Sequence, residues 1–316
     1  MASTAVKERI KLPGIHPSAF EHPLDGKALE ALRKTPGLDL LLKKLSAVYL
    51  ERMVRLAYTV NSLRLSPQQC PRIYELLREA ADVLDMSEPE LYLMQDPFPN
   101  ASAMGMEKHT IVITSGLVDL LTEDEMRGVL GHELGHIKSG HMLYRSMAQL
   151  LLIIGFVAIR NLPFLNLVTE ALRYALYDWY RKSELSADRA GLLVTQDPMI
   201  AATIDLKLAA GNTGATHKLD LQEFLKQADD FDDMGTSLLD AFYVFEMTRF
   251  QSHPFPALRA REIIRWGDSE EYRAILRGEY PRVESEAEER RCPRCAAPVY
   301  NPVFRFCPEC GEELKG

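Results

Sequence analysis

Apolar positions recur at helical spacing in several stretches of the chain, and β-forming residues cluster in two others. Over residues 38–65, Leu38, Leu41, Leu42, Leu45, Val48 and Tyr49 form a stripe, with Lys43, Lys44, Glu51 and Arg52 elsewhere on the wheel, which predicts a long amphipathic helix. Packing on the rest of the protein is the simplest use of that stripe, ahead of docking on a membrane or a partner. A second helix is predicted over 71–84, where Pro71 is tolerated in the first turn. Residues 122–142 predict a third. Thr122 with Glu125 reads as a capping box, the acids at 123–125 suit a helix N-terminus, and Met126, Val129, Leu130 and Leu134 line one face. Another helix carries residues 181–188 and runs on through 190–194 until Asp197-Pro198 stops it. Residues 91–95 and 109–114 predict strands, with 96–106 as a hairpin connection between them. Residues 1–26 read as irregular, punctuated by Pro13-Gly14, His16-Pro17 and His22-Pro23, and 211–216 as a loop. The fold class that follows is α+β, mostly α.

The run at 150–159 is apolar without interruption, and Arg160-Asn161 and Pro163 then break it. A bilayer span needs about 20 mostly apolar residues, so the pattern favours a buried or interfacial segment. A soluble or peripherally attached protein is therefore expected ahead of an integral one, with any membrane contact made through residues 143–172.

The third helix holds the chemistry. His132-Glu133-Leu134-Gly135-His136 is a His-Glu-x-x-His motif. Residues four apart share a helix face, so His132 and His136 can aim two imidazoles at one ion, while Glu133 can reach a water on it as general base. Glu184 is positioned to be the third ligand, leaving the fourth tetrahedral position open, as catalytic zinc sites do. Asp188, one turn further, is placed to orient a liganding imidazole and raise its basicity.

The pair His132-Glu133-x-x-His136 and Glu184-x-x-Ala187-Asp188 resembles the HtpX-type zinc peptidases, family 48 of the metallopeptidases, which include the type 1 CAAX prenyl proteases. Asn100-Ala101, followed by residues 109–117, is similar to that family's segment before the zinc helix. His253-Pro254-Phe255-Pro256, with Arg259 six residues after the histidine, is similar to its late His-Pro-Pro…Arg element, Phe255 being a departure. The likeness covers residues 85–266. It implies a gluzincin-type metallopeptidase domain with a small sheet and two ligand-bearing helices, acting on polypeptide substrates in protein quality control. It further implies that the backbone of Asn100, Ala101, Ser102 and Ala103 forms an edge that pairs with extended substrate. By the same resemblance His253 sits over the metal and helps hold the oxyanion, and Arg259 shares that duty or pairs with Asp188 or another acid.

At 316 residues and 47% hydrophobic, the chain can bury a large core with an appendage or two. The expected division is a helical region at 1–84, a metallopeptidase domain at 85–282, and a charged linker with a zinc ribbon at 283–316. A net charge of −8 argues against nucleic acid as the main partner. Four of the five cysteines form the pairs Cys292-x-x-Cys295 and Cys307-x-x-Cys310, so a second, structural zinc is expected there, in a reducing compartment. A module this small has little core and depends on its metal to fold. The ribbon could bind a protein partner. With no apolar leader in the first residues, the expected address is the cytoplasm, with membrane association through 143–172 as the variant. The rival reading is a noncatalytic zinc-dependent adaptor acting through the ribbon. A complete ligand set with Glu133 beside it argues against that.

Overall fold

The computed structural model describes residues 9–34, 56, 58–105, 108–142, 144–145, 163–211, 217–234, 255–283, 292–295, 312 and 314, with backbone alone at 33, 163–174 and 232–234. A 3-10 turn at Pro17–Ala19 precedes helix α1, Pro23–Arg33. Next come β1 (Leu63–Arg64), α2 (Pro71–Val83), β2 (Glu90–Met94), β3 (Ala101–Met104) and β4 (Thr110–Thr114). The helices α3 (Ser115–Leu120), α4 (Glu123–Lys138), α5 (Pro163–Thr195), α6 (Pro198–Ala210), α7 (Leu221–Met234), α8 (Pro256–Gly267) and α9 (Glu270–Leu276) follow. Most of the helix expected over 38–65 lies outside the described residues, as does the apolar run at 150–159. No helix among the described residues is long and apolar enough to cross a membrane.

Residues 9–26 are less irregular than the expectation for 1–26 implies. Pro23 opens α1, and the His22 imidazole caps it by accepting the Leu24 amide. Proline occupies the same first-turn position in α2, α6 and α8, where its missing amide is one the helix would leave unpaired anyway. In α4 both halves of the Thr122–Glu125 capping box are formed.

The sheet is mixed, in the order β1-β2-β4-β3. β2 and β4 run parallel, so the expected hairpin between 91–95 and 109–114 is absent. The reversal is made one strand later, by β3 lying antiparallel to β4. Residues 96–100 explain the detour. The Asp96 amide bonds Ser115 Oγ, the Gly116 amide bonds the Asp96 carbonyl, and Thr114 Oγ1 accepts the Asn100 amide. Those bonds carry the chain past the end of β4 before it turns back, and they leave β3 at the sheet edge.

The helices α4 and α5 approach closely because small residues meet between them. A Cβ added at Gly135 would lie 2.5 Å from Ala190 Cβ, and one at Gly131 would lie 2.7 Å from Val194 Cβ. One continuous core contains Leu12, Ile15 and Phe20 together with Leu76, Leu84, Ile111, Leu134, Leu193 and Trp266, so packing runs across the expected boundary at residue 84.

Candidate active site

His132 and His136 stand one turn apart on α4, and Glu184 faces them from α5, all three buried. The two Nε2 atoms are 3.2 Å apart. Glu184 Oε2 is 3.4 Å from His132 Nε2, and Oε1 is 3.3 Å from His136 Nε2. An ion held tetrahedrally at ordinary zinc–nitrogen and zinc–oxygen lengths separates its donors by about 3.3–3.5 Å. Each of these spacings is close to that size, the two histidines facing different oxygens of Glu184, and the atoms are the donors zinc takes, so these three residues can hold one such ion.

The two imidazoles are backed differently. His132 Nδ1 lies 2.9 Å from Asp188 Oδ1, and Arg259 grips the same carboxylate with Nε at 2.8 Å and Nη2 at 2.5 Å. Burial disfavours charge on His132, yet the bonds and charges of Asp188 and Glu184 push its pKa up to about 10. The field that draws a proton there draws a metal cation equally. Behind His136 stands another imidazole, His141, with Nδ1 2.9 Å from Nδ1. Burial, and then the Arg145 charge, hold His136 well below the usual imidazole range.

Glu133 is buried one residue along from His132. Its Oε2 accepts the Ala103 amide of β3 at 2.6 Å and lies 4.0 Å from Arg145 Nη1. Arg145 is buried too, donating to the Tyr180 hydroxyl at 2.6 Å while its guanidinium covers the Tyr180 ring. Burial pushes that hydroxyl up to about 12, so it stays neutral.

β3 supplies an edge. The Thr114 amide donates to the Asn100 carbonyl, and antiparallel alternation then turns the main-chain groups of Asn100 and Ser102 toward β4 and those of Ala101 and Ala103 outward. Beside this edge a cavity of about 220 Å³ is walled by Val129, Ala201, Ile204 and Ile263, with Asp205 and Arg259 at its polar end. Asp205 is 2% exposed, and its Oδ2 bonds nothing among the described residues. Burial, with the Asp188 charge adding to it against Arg259, pushes its pKa up to about 7.

Of the residues singled out in the sequence, His132, Glu133, His136, Glu184, Asp188, Arg259 and the 100–103 segment therefore meet in one place. Arg259 is tied to Asp188. His253, Cys307 and Cys310 lie outside the described residues. Cys292 is buried and Cys295 exposed, and the Arg294 amide donates to Cys292 Sγ at 3.4 Å. The sequence reasoning gave no role to Asp25, His141, Arg145, Tyr180 or Asp205. A signal existed for two of them. His141 is five residues past His136, and Asp205 is a lone acid among Ala201, Ala202, Ile204 and Leu206.

The family model described as "Peptidase family M48" matches residues 67–266. The chain is 36% identical over 261 residues to "Plastoglobule-localized metallopeptidase 48, chloroplastic" of Arabidopsis thaliana, covering 82% of this chain and 75% of that protein. It is 26% identical over 273 residues to a "Protease HtpX homolog" of Moorella thermoacetica, covering 76% of this chain and 81% of the other. A second "Protease HtpX homolog", from Syntrophobacter fumaroxidans, is 42% identical over 89 residues, 28% of this chain and 32% of its own. No solved structure matches. Because the matched span takes in both halves of the buried His-His-Glu triangle and more than half of the sequence, the chain belongs to peptidase family M48, as an HtpX-like zinc metalloprotease.

Proposed function

We propose that this protein is a metalloendopeptidase in which His132, His136 and Glu184 hold the catalytic zinc and Glu133 moves the protons. The observation that carries the reading is the buried cluster in which the two Nε2 atoms lie 3.2 Å apart and each has its own Glu184 oxygen at 3.3 or 3.4 Å, with Glu133 beside it. Zinc held there would polarise the scissile carbonyl and acidify the attacking water. Glu133 takes a proton from that water and returns it to the leaving amine. Arg145 Nη1, 4.0 Å from Glu133 Oε2, places a positive charge beside the base. The outward main-chain groups of Ala101 and Ala103 bond an extended substrate, which selects backbone over side-chain identity. For Ala103 to donate its amide to substrate, Glu133 must let it go, so substrate pairing frees the base. The cavity beside Glu133 receives one substrate side chain, and its walls suit an apolar one.

His253 serves the oxyanion in this reading, while Asp188 and Arg259 act through His132. The tail beyond 283 is a charged linker with a four-cysteine ribbon holding a second zinc and offering a protein-binding surface. The setting is protein quality control in the cytoplasm, with residues 143–172 touching a membrane surface.

The Glu133→Gln variant of the full chain, assayed on an unfolded polypeptide, is expected to lose about 100- to 10,000-fold in turnover. Elemental analysis should find its zinc content unchanged. Near-wild-type proteolysis by this variant would overturn the assignment.

A further inference from the structure

Five buried groups run in a line from the back of His136 to the N-terminal helix. His136 Nδ1 is 2.9 Å from His141 Nδ1, and His141 Nε2 is 3.1 Å from Asp25 Oδ2. Asp25 Oδ2 also accepts the Ser186 hydroxyl at 2.6 Å, and Oδ1 accepts the Trp179 indole at 2.9 Å. Ser186 Oγ in turn accepts the His22 amide at 2.9 Å. His136, His141, Asp25, Ser186 and Trp179 are each no more than 3% exposed, so water does not offer them alternative partners.

The proton positions along this line follow from what each group can do. An indole N–H only donates, and Ser186, already accepting from His22, has its O–H left to give. Asp25, as a carboxylate, only accepts, so His141 Nε2 must carry hydrogen. The other ring nitrogen of His141, Nδ1, faces His136 Nδ1 at 2.9 Å and can accept from it, which puts the hydrogen of His136 on its own Nδ1. His136 Nε2 is left with its lone pair aimed into the triangle with His132 and Glu184. That is the one tautomer able to bind a metal through Nε2.

We infer that Asp25, acting through His141, is a positioning residue for the metal site, and that helix α1 is an integral part of that site. Asp25 lies upstream of the 67–266 span the family model matches. The inference rests on the reading of His136 as a ligand.

The test is a chelator competition on the full chain, with cobalt(II) in place of zinc so that absorption distinguishes an imidazole–carboxylate site from a thiolate one. Asp25→Ala should weaken cobalt binding at the imidazole–carboxylate site about 10- to 100-fold. Leu32→Ala, which removes a buried α1 side chain away from the relay, should lower Tm but shift that affinity less than about threefold. His136→Ala should abolish that band. If His136→Ala abolishes it while Asp25→Ala leaves affinity within threefold, the relay is refuted and the ligand stands. An effect of Leu32→Ala as large as that of Asp25→Ala also refutes the relay, since α1 docking alone would then explain it. If His136→Ala changes nothing, the ligand reading itself is wrong.

Discussion

The two imidazoles of the proposed zinc site are braced by networks of different kinds. Behind His132 stands an ionic one, in which Asp188 is clamped by Arg259, with Asp205 3.8 Å from the same guanidinium. Behind His136 stands a line of directional hydrogen bonds through His141 to Asp25, Ser186 and Trp179. Both end in a carboxylate that helps to orient the imidazole in front of it. They differ in what happens when a member is lost. A buried charge left without its partner keeps its full desolvation cost, whereas a neutral donor loses one bond. The ionic brace should therefore be the more fragile under single substitution, and the hydrogen-bonded one the more forgiving.

The largest effect is expected where that contrast is sharpest. Asp188→Asn leaves the Arg259 guanidinium buried without its bidentate partner and should cost about 3–5 kcal/mol in denaturant unfolding. The matching Asp25→Asn change should cost about 1.5–3 kcal/mol, the worth of bonds to a charged acceptor. Equal losses would dissolve the distinction between the two braces.

Gly135→Ala strikes both braces together by forcing α4 away from α5. With Ala190 Cβ only 2.5 Å from the new methyl, the expected cost is about 1–3 kcal/mol, read from the same unfolding curves. A neutral result would mean that the two ligand helices have slack their packing does not suggest.

The effect expected of Asp205→Asn differs in kind, because it depends on pH. Burial raises the folded carboxyl from its ordinary 3.8 to about 7, so the folded state holds a proton the unfolded chain has released. That contribution is fully present below the ordinary value and is lost as pH rises through the folded one. The Asn variant, which cannot ionise, should gain on wild type as pH climbs from about 4 to about 8. A pH-independent difference would mean that Arg259 keeps Asp205 ionised, extending the ionic brace by one member.

How far the sequence reached depends on the range of each interaction. His132, Glu133 and His136 share a helix turn, and Thr122 with Glu125 closes a box within one turn, so both were legible from spacing. Glu184 and Asp188 were readable as a pair one turn apart on a second helix. The hairpin expected between 91–95 and 109–114 failed because strand propensity carries no partner information. The bonds of Asp96, Asn100 and Ser115 decided that β3 would take the edge. His253 and the second cysteine pair fall outside the described residues and remain expectations of the sequence.

By itself, then, the amino-acid order determined which side chains could bind a metal and which could move a proton, since those capacities belong to residue types at helical spacing. Only the packed fold decided what stands behind each ligand. Asp25 meets His141, and Arg259 meets Asp188, across long stretches of chain. Such meetings depend on glycine-tight helix contact and shared burial, which no local period records.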